Sequence, residues 1–406
     1  MTTSTGSGQA SDLSDLVIPQ RNLLGPGPSN VNPRVYRAMM QPVIGYLDPM
    51  FIKVIDDTQR PLRTVFRTEN DLTMAISGTG TCGMEAAVYN ITEAGDNVIV
   101  CLNGFFGTRI ADMVKRCGGN VIPVEAEFGN ITEPDQIRKA LKSANGPVKS
   151  VMIVHGETST GILQPMQEIC QIAHEQGALV LADAVTSLAG CELLIDEWGI
   201  DVCYSGTQKC LSAPPGMSPL TMSAAAVEAI EKRREPVLSF YVDLAMLGRY
   251  WGGGTTRMYH HTPPMSMLYA LREGLRIVLE EGLEARIARH KRNAAALQAG
   301  LEAMGLVLHA QEGYRLPPLT TVRIPEGIDD MKLRRGILED HNIEIGGGIG
   351  HMQGKILRIG LMGYGSTEPN VFALLFALEQ ELLAQGYGLD KGAGVAAAVR
   401  SYDNSL

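Results

Sequence analysis

Several protein classes leave marks that this 406-residue chain lacks. No apolar run approaches the ~18–20 residues that span a bilayer, which argues against a membrane partner. The opening "MTTSTGSGQASDLSD" has no charged stretch followed by an apolar one, the pattern of a secretory signal. The seven cysteines form no CxxC pair, and their odd number fits a reducing compartment better than a disulfide framework. The eight histidines show neither HxxxH nor HExxH, so no zinc site is expected. Excess positive charge is missing too: at a net −9 the chain lacks the basic face of a nucleic-acid binder. Its last residues, "NSL", lack the basic middle residue of a peroxisomal tag. No internal repeat is visible. These absences lead to the expectation of a cytoplasmic globular enzyme, with 45% hydrophobic and 19% charged residues.

What is present is alternation. "DNVIVCLN" (96–103), "SVMIVHGE" (150–157), "ALVLADAV" (178–185) and "DVCYSG" (201–206) are Val/Ile/Leu-rich runs bounded by Gly, Asp or Asn. Amphipathic stretches such as "GMEAAVYNITEAG" (83–95) and "PMQEICQIAHEQG" (165–177) lie between them and stop at Gly. Strands apolar on both faces, alternating with helices, predict an α/β fold with a mainly parallel, helix-covered sheet. Functional residues of such sheets gather beyond the carboxyl ends of the strands. A long helical pattern over 263–305, with a break near Gly282, leads to further strands at 319–325, 342–348 and 355–363. Helices at 330–339 and 367–385 complete a smaller α+β unit. The expected division is a disordered tail over 1–20, a large domain over 21–285, a small one over 286–390 and a C-terminal tail over 391–406.

The stretch "YSGTQKCLSAPPG" (204–216) places Lys209 just past a buried run. An unpaired ammonium is expensive to bury, so a lysine here calls for a reason. Neighbouring strand ends offer one. Asp183 closes "ALVLAD", Glu157 to Thr160 follow "SVMIVHG", and "SGTGTCG" (77–83) opens a helix. A Gly/Thr-rich turn at a helix start suits a phosphate. An aspartate beside a lysine and a phosphate cup suits a protonated pyridine nitrogen, and burial would make the lysine amine a nucleophile.

This arrangement resembles the class V pyridoxal-phosphate enzymes, and within them the alanine–glyoxylate/serine–pyruvate aminotransferases. The likeness runs over about residues 22–385, through "LLGPGPSNV", "SGTGTCGMEAA", "NGFFGTR", "VHGETSTGILQP", "DAVTSLAG", "YSGTQKCLSAPPG", "SFYVDL", "RMYHHTPP" and "LRIGLMG" in that order. It implies an aspartate-aminotransferase-like fold with pyridoxal 5'-phosphate as cofactor. Lys209 would be the Schiff-base lysine and Asp183 the partner of the pyridine nitrogen. Thr79, Gly80, Thr81 and Gln208 would line the phosphate. Ser159 would bond near the ring hydroxyl, and Phe106 would stack on the ring where relatives often carry Trp. Arg358 would clamp the substrate α-carboxylate, with Gly27, Ser159 and Tyr46 around the substrate. Tyr46, with Tyr259 and Thr262 at the phosphate, would come from the partner subunit of a homodimer.

The implied reaction is ping-pong transamination from alanine or serine to glyoxylate or pyruvate. Donors such as ureidoglycine or pyridoxamine are alternatives. A cysteine desulfurase-like lyase is disfavoured, because no cysteine follows Cys210. A cofactor-binding regulator half is disfavoured for want of a basic DNA-binding segment.

Overall fold

A computed structural model describes residues 15–252 and 257–404. The expected N-terminal tail lies outside them over its first fourteen positions, and residues 15–20 are exposed and belong to no helix or strand. The centre is a seven-stranded sheet of β1 (Leu72–Ser77), β2 (Asn97–Leu102), β3 (Asn120–Glu125), β4 (Val148–Val154), β5 (Leu179–Asp183), β6 (Val202–Tyr204) and β7 (Met217–Met222). Their spatial order is β1-β7-β6-β5-β4-β2-β3, parallel except that β7 runs antiparallel to both neighbours. The Val/Ile/Leu runs form the middle because both faces are covered: Val151, Ile153, Val180, Leu181 and Val202 have no exposed surface. Shortening one of these to alanine should cost ~2–5 kcal/mol.

Three strands escape the apolar-run pattern. β7 reads "MSPLTM", with a serine, a proline and a threonine that the sheet nevertheless buries. β3 is an edge strand with mostly exposed or half-buried residues, so its sequence need not be apolar. β1 ends directly in the glycine-rich turn that precedes α1 (Gly80–Ile91), so the turn dominates its reading.

The helix pattern over 263–305 becomes α2 (Met265–Glu281) and α3 (Leu283–Ala303), separated at Gly282. Beyond them β8 (Leu319–Arg323), β9 (Gly346–Gly347) and β10 (Ile356–Gly360) make an antiparallel sheet in the order β8-β10-β9. Its apolar side joins a second hydrophobic cluster, separate from that of the large sheet. That cluster includes Leu24 and Tyr402 from opposite ends of the chain. Leu24 is drawn in because Asn22–Leu23 pair in parallel with Ile343–Glu344. Residues 391–406, expected as a tail, contain α4 (Ala393–Asp403), which packs on α3. The Tyr402 hydroxyl donates to Asn293 Oδ1 at 2.8 Å, and Arg292 lies over its ring. A segment rich in Gly and Ala carries little amphipathic signal, and close helix packing is what small residues permit here.

Candidate active site

The β-ladder sets the first half of the site. Asp183 is the last residue of β5 and lies between Val154 of β4 and Tyr204 of β6. Its carboxylate accepts from the Val185 N–H and from the Tyr204 hydroxyl, both at 2.8 Å. Burial pushes its pKa up to about 6 despite these donors. Such a group gains strongly from a cation placed beside it.

Lys209 follows β6 by five residues and is only 9% exposed. Burial, aided by the charge of Arg358, pulls its pKa down to about 8. The segment "GPGPSN" is fastened over it: Ser29 N–H donates to the Gln208 carbonyl, and Ser29 Oγ donates to that of Lys209 at 2.7 Å. The Lys209 ammonium donates to the Pro26 carbonyl. Gly27 adopts φ +104°, and a Cβ there would lie 2.7 Å from Lys209 Nζ. Gly27→Ala is therefore expected to displace the lysine or the loop. A displacement near 1 Å at a reacting atom costs about 10²-fold, so kcat/KM should fall by about that factor, as steady-state kinetics would show.

Both residues line one cavity of about 130 Å³, together with Gly80, Thr81, Met84, Phe106, Val154, Gly156, Thr158, Val185, Thr186 and Gln208. Gly80 and Thr81 begin α1, whose N-terminal turn leaves backbone N–H groups without helical partners at the positive end of its dipole. Thr79 is its N-cap residue but makes no side-chain capping bond and does not line the cavity. Gln208 Oε1 is buried and has no partner among the described residues. An amide rotated by half a turn would present N–H instead. A helix start and an unpaired buried amide on one wall, with a lysine and a buried carboxylate also in it, suit an anionic group on an aromatic ring.

The third wall presents Thr158 rather than the expected Ser159. Ser159 is fully buried and does not line the cavity; Thr158 does. The Ser159 hydroxyl is already engaged, donating to Glu157 Oε1 at 2.6 Å and accepting from Phe105 N–H at 2.8 Å. In the run "GETSTG" the chain turns at Thr158, and residue type alone does not distinguish it from Ser159. Phe106 stands on the opposite chain segment, at the start of α5, the helix Phe105–Arg116, and Arg109 lies 5.1 Å from its ring centre.

Arg358 sits on β10, 8% exposed. Its Nε donates to the Gly347 carbonyl at 2.7 Å and one Nη to that of Thr158 at 3.5 Å. Burial brings its pKa down to about 10, so it remains a cation at neutral pH. Tyr46, Tyr259 and Thr262 are not on the cavity wall. They form a group of their own: the two rings lie 4.5 Å apart, and the Tyr259 and Thr262 hydroxyls are 3.3 Å apart. Tyr259 is half exposed.

Sequence reading passes over two contributors. Tyr204, wholly buried, bonds Asp183; its signal is a tyrosine in a strand next to the one that Asp183 ends. Glu157 is buried without exposure, and its acid in an apolar strand end is a visible but unassigned cue.

A sheet with a lysine and an aspartate converging beyond its strand ends is the architecture of fold-type I pyridoxal-phosphate enzymes. Residues 28–368 match the family Aminotransferase class-V, to which the chain belongs. It is 40% identical over 409 residues to an (S)-ureidoglycine–glyoxylate transaminase of Bacillus subtilis, covering 96% of this chain and 97% of that protein. An alanine–glyoxylate aminotransferase of Felis catus is 41% identical over 372 residues, 91% of this chain and 89% of that protein. Among solved structures, the ureidoglycine–glyoxylate aminotransferase from Bacillus subtilis gives a TM-score of 0.93 at 41% identity, over 96% of this chain and all of that one. An alanine–glyoxylate aminotransferase from Nostoc sp. gives 0.90 at 45%, over 94% and 100%. The chain is thus a pyridoxal 5'-phosphate-dependent aminotransferase. A cysteine desulfurase from Thermococcus onnurineus, at 15% identity and a TM-score of 0.68, shares the fold alone and adds nothing to the lyase alternative.

Proposed function

We propose that the enzyme moves the amino group of a small neutral amino acid, alanine or serine, to glyoxylate or pyruvate in two half-reactions. The observation that carries this reading is the charge around the cavity. Among its described lining residues only Asp183 and Lys209 are charged, and Arg358, bonded to the Gly347 and Thr158 carbonyls rather than to a carboxylate, reaches the Thr158 wall. Of two other guanidinium groups near these walls, Arg334 is held by both oxygens of Asp330, and Arg109 lies over Phe106 and bonds Thr81, on the wall that would hold the phosphate. One cation suits an α-carboxylate, and a donor with a second carboxylate would find no second clamp.

Pyridoxal phosphate, its ring nitrogen protonated, supplies a sink for the electron pair left when a Cα proton departs. Asp183, fixed by Tyr204 and Val185, would hold its negative charge against that nitrogen. Gly80, Thr81 and Gln208 would hold the phosphate, and Thr158 and Phe106, which line the same cavity, would hold the ring. Arg358 orients the substrate through its carboxylate. Lys209 Nζ would hold the cofactor covalently and, as a free amine, would take the substrate α-proton and return it.

The Lys209 value gives a pH dependence. Below about 8 the amine is protonated and cannot attack the cofactor; above it the amine is neutral. The rate at which apoenzyme takes up pyridoxal phosphate should therefore rise with pH and level off above about 8. Stopped-flow absorbance would show it. An unperturbed lysine would keep the rate rising toward 10.5.

The same reading makes the functional unit a homodimer in the cytosol. Tyr46, Tyr259 and Thr262 stand off the cavity, and Met40, Val43, Met50 and Met258, near them in sequence, are exposed apolar residues that a second copy would cover. Seven free thiols, six of them buried, support a reducing compartment. No helix among the described residues is long and apolar enough to cross a membrane.

The test is a panel of donors and acceptors with purified enzyme, following loss of the cofactor's yellow band. Alanine or serine with glyoxylate or pyruvate should give the highest kcat/KM. Preference for ureidoglycine or pyridoxamine would move the substrate assignment to those branches and leave the aminotransferase chemistry standing.

A further inference from the structure

Glu157 is the most heavily committed buried carboxylate near the cavity, yet the reaction as described gives it no task. It has no exposed surface. Its Oε2 accepts from Phe106 N–H at 3.0 Å, and its Oε1 accepts from Ser159 N–H at 2.9 Å and from Ser159 Oγ at 2.6 Å. Ser159 Oγ in turn accepts from Phe105 N–H at 2.8 Å. Two chain segments about fifty residues apart are thereby joined through one carboxylate and one hydroxyl.

The helix being joined, α5, has Gly104 at its N-cap, and Gly104 offers no side chain to cap it. The missing side chain has a second use. A Cβ on Gly104 would lie inside contact distance of the Glu157 carboxyl group. A serine or asparagine at the cap would satisfy the helix locally. The chain instead omits the local cap and buries a remote carboxylate, which is costly unless donors surround it. Glu157 immediately precedes Thr158, and Phe106 is in the first turn of α5. Those two residues belong to the cavity wall.

We propose that Glu157, with Ser159 and the space left by Gly104, is a positioning residue that fixes the Phe106 wall of the cofactor cleft against the Thr158 wall. It does not touch the reacting atoms. It holds the cleft at the separation at which the cofactor is gripped. The inference rests on the cofactor assignment above.

The experiment compares wild type, Glu157→Gln and Ser159→Ala. Each is stripped of cofactor, titrated with pyridoxal phosphate by absorbance, and examined by visible circular dichroism at saturation and by thermal unfolding as apoprotein. In Glu157→Gln the amide NH₂ faces the Phe106 or Ser159 N–H, a donor against a donor. The cofactor Kd should rise about tenfold or more, with a weaker dichroic band because the bound ring is less fixed. Ser159→Ala should move both readouts the same way, with Kd up about threefold. The inference is overturned if both variants keep a Kd within about twofold of wild type and an unchanged dichroic band, even with a lowered Tm, because that marks a stability role alone. Should Glu157→Gln fail to fold, Ser159→Ala decides by the same two readouts. Failure of wild type itself to bind pyridoxal phosphate would overturn the cofactor assignment instead, so the two failures are distinguishable.

Discussion

Lys209→Ala should cut turnover by at least about 10⁴-fold, and the reconstituted protein should lack the yellow colour of lysine-linked cofactor. Two tasks fall to one nitrogen. It bears the covalent link at rest, and it carries the proton between Cα and the cofactor, so its loss removes both. The structure adds a reason why no neighbour can substitute. Lys209 is the one amine among the described residues lining the cavity, and Arg358 is fixed to the Gly347 and Thr158 carbonyls. Folding should survive, since the alanine removes a buried amine rather than a packed apolar group. Rapid-quench kinetics and an absorbance spectrum check the result. A variant with turnover within a hundredfold of wild type would contradict it.

Asp183→Asn should leave a stable but slow enzyme, with kcat down by about 10²–10³-fold, the cost of removing one preorganised electrostatic partner. The asparagine keeps the shape and one acceptor oxygen. It loses the charge that would hold the ring nitrogen protonated. Asp183→Ala differs in kind. It strands the Tyr204 hydroxyl and the Val185 N–H, each costing ~1–3 kcal/mol when buried without a partner. Thermal unfolding should therefore separate the variants: near wild-type Tm for asparagine, a clear loss for alanine. An asparagine variant with kcat within a few fold of wild type would remove Asp183 from the chemistry.

Periodicity made the middle of the large sheet legible, because a strand covered on both faces must be apolar throughout. It did not reveal the edge strand β3, whose exposed residues are free to be polar, nor β7, whose serine, proline and threonine look like a loop until the sheet buries them. Lys209, Asp183, Gly80 and Thr81 could be singled out from strand ends and a helix start, Gln208 and Phe106 from the family resemblance, and the fold brings all six to one cavity. The choice between Thr158 and Ser159 could not be made that way. It depends on which hydroxyl the turn spends on Glu157, a matter of χ angles and backbone direction. Tyr46, Tyr259 and Thr262 lie off that cavity, as residues that serve the cleft of a second copy of the chain would. The C-terminal helix was hidden by composition, since Ala and Gly give little periodic contrast even when they pack closely on α3.

The most direct test is to reconstitute the enzyme with pyridoxal phosphate, reduce it with borohydride so that the covalent link becomes permanent, and map the adduct by peptide mass spectrometry. The mass of the reduced cofactor should appear on the peptide containing Lys209 and on no other. Cofactor bound without any adduct, or an adduct on a different lysine, would contradict the account.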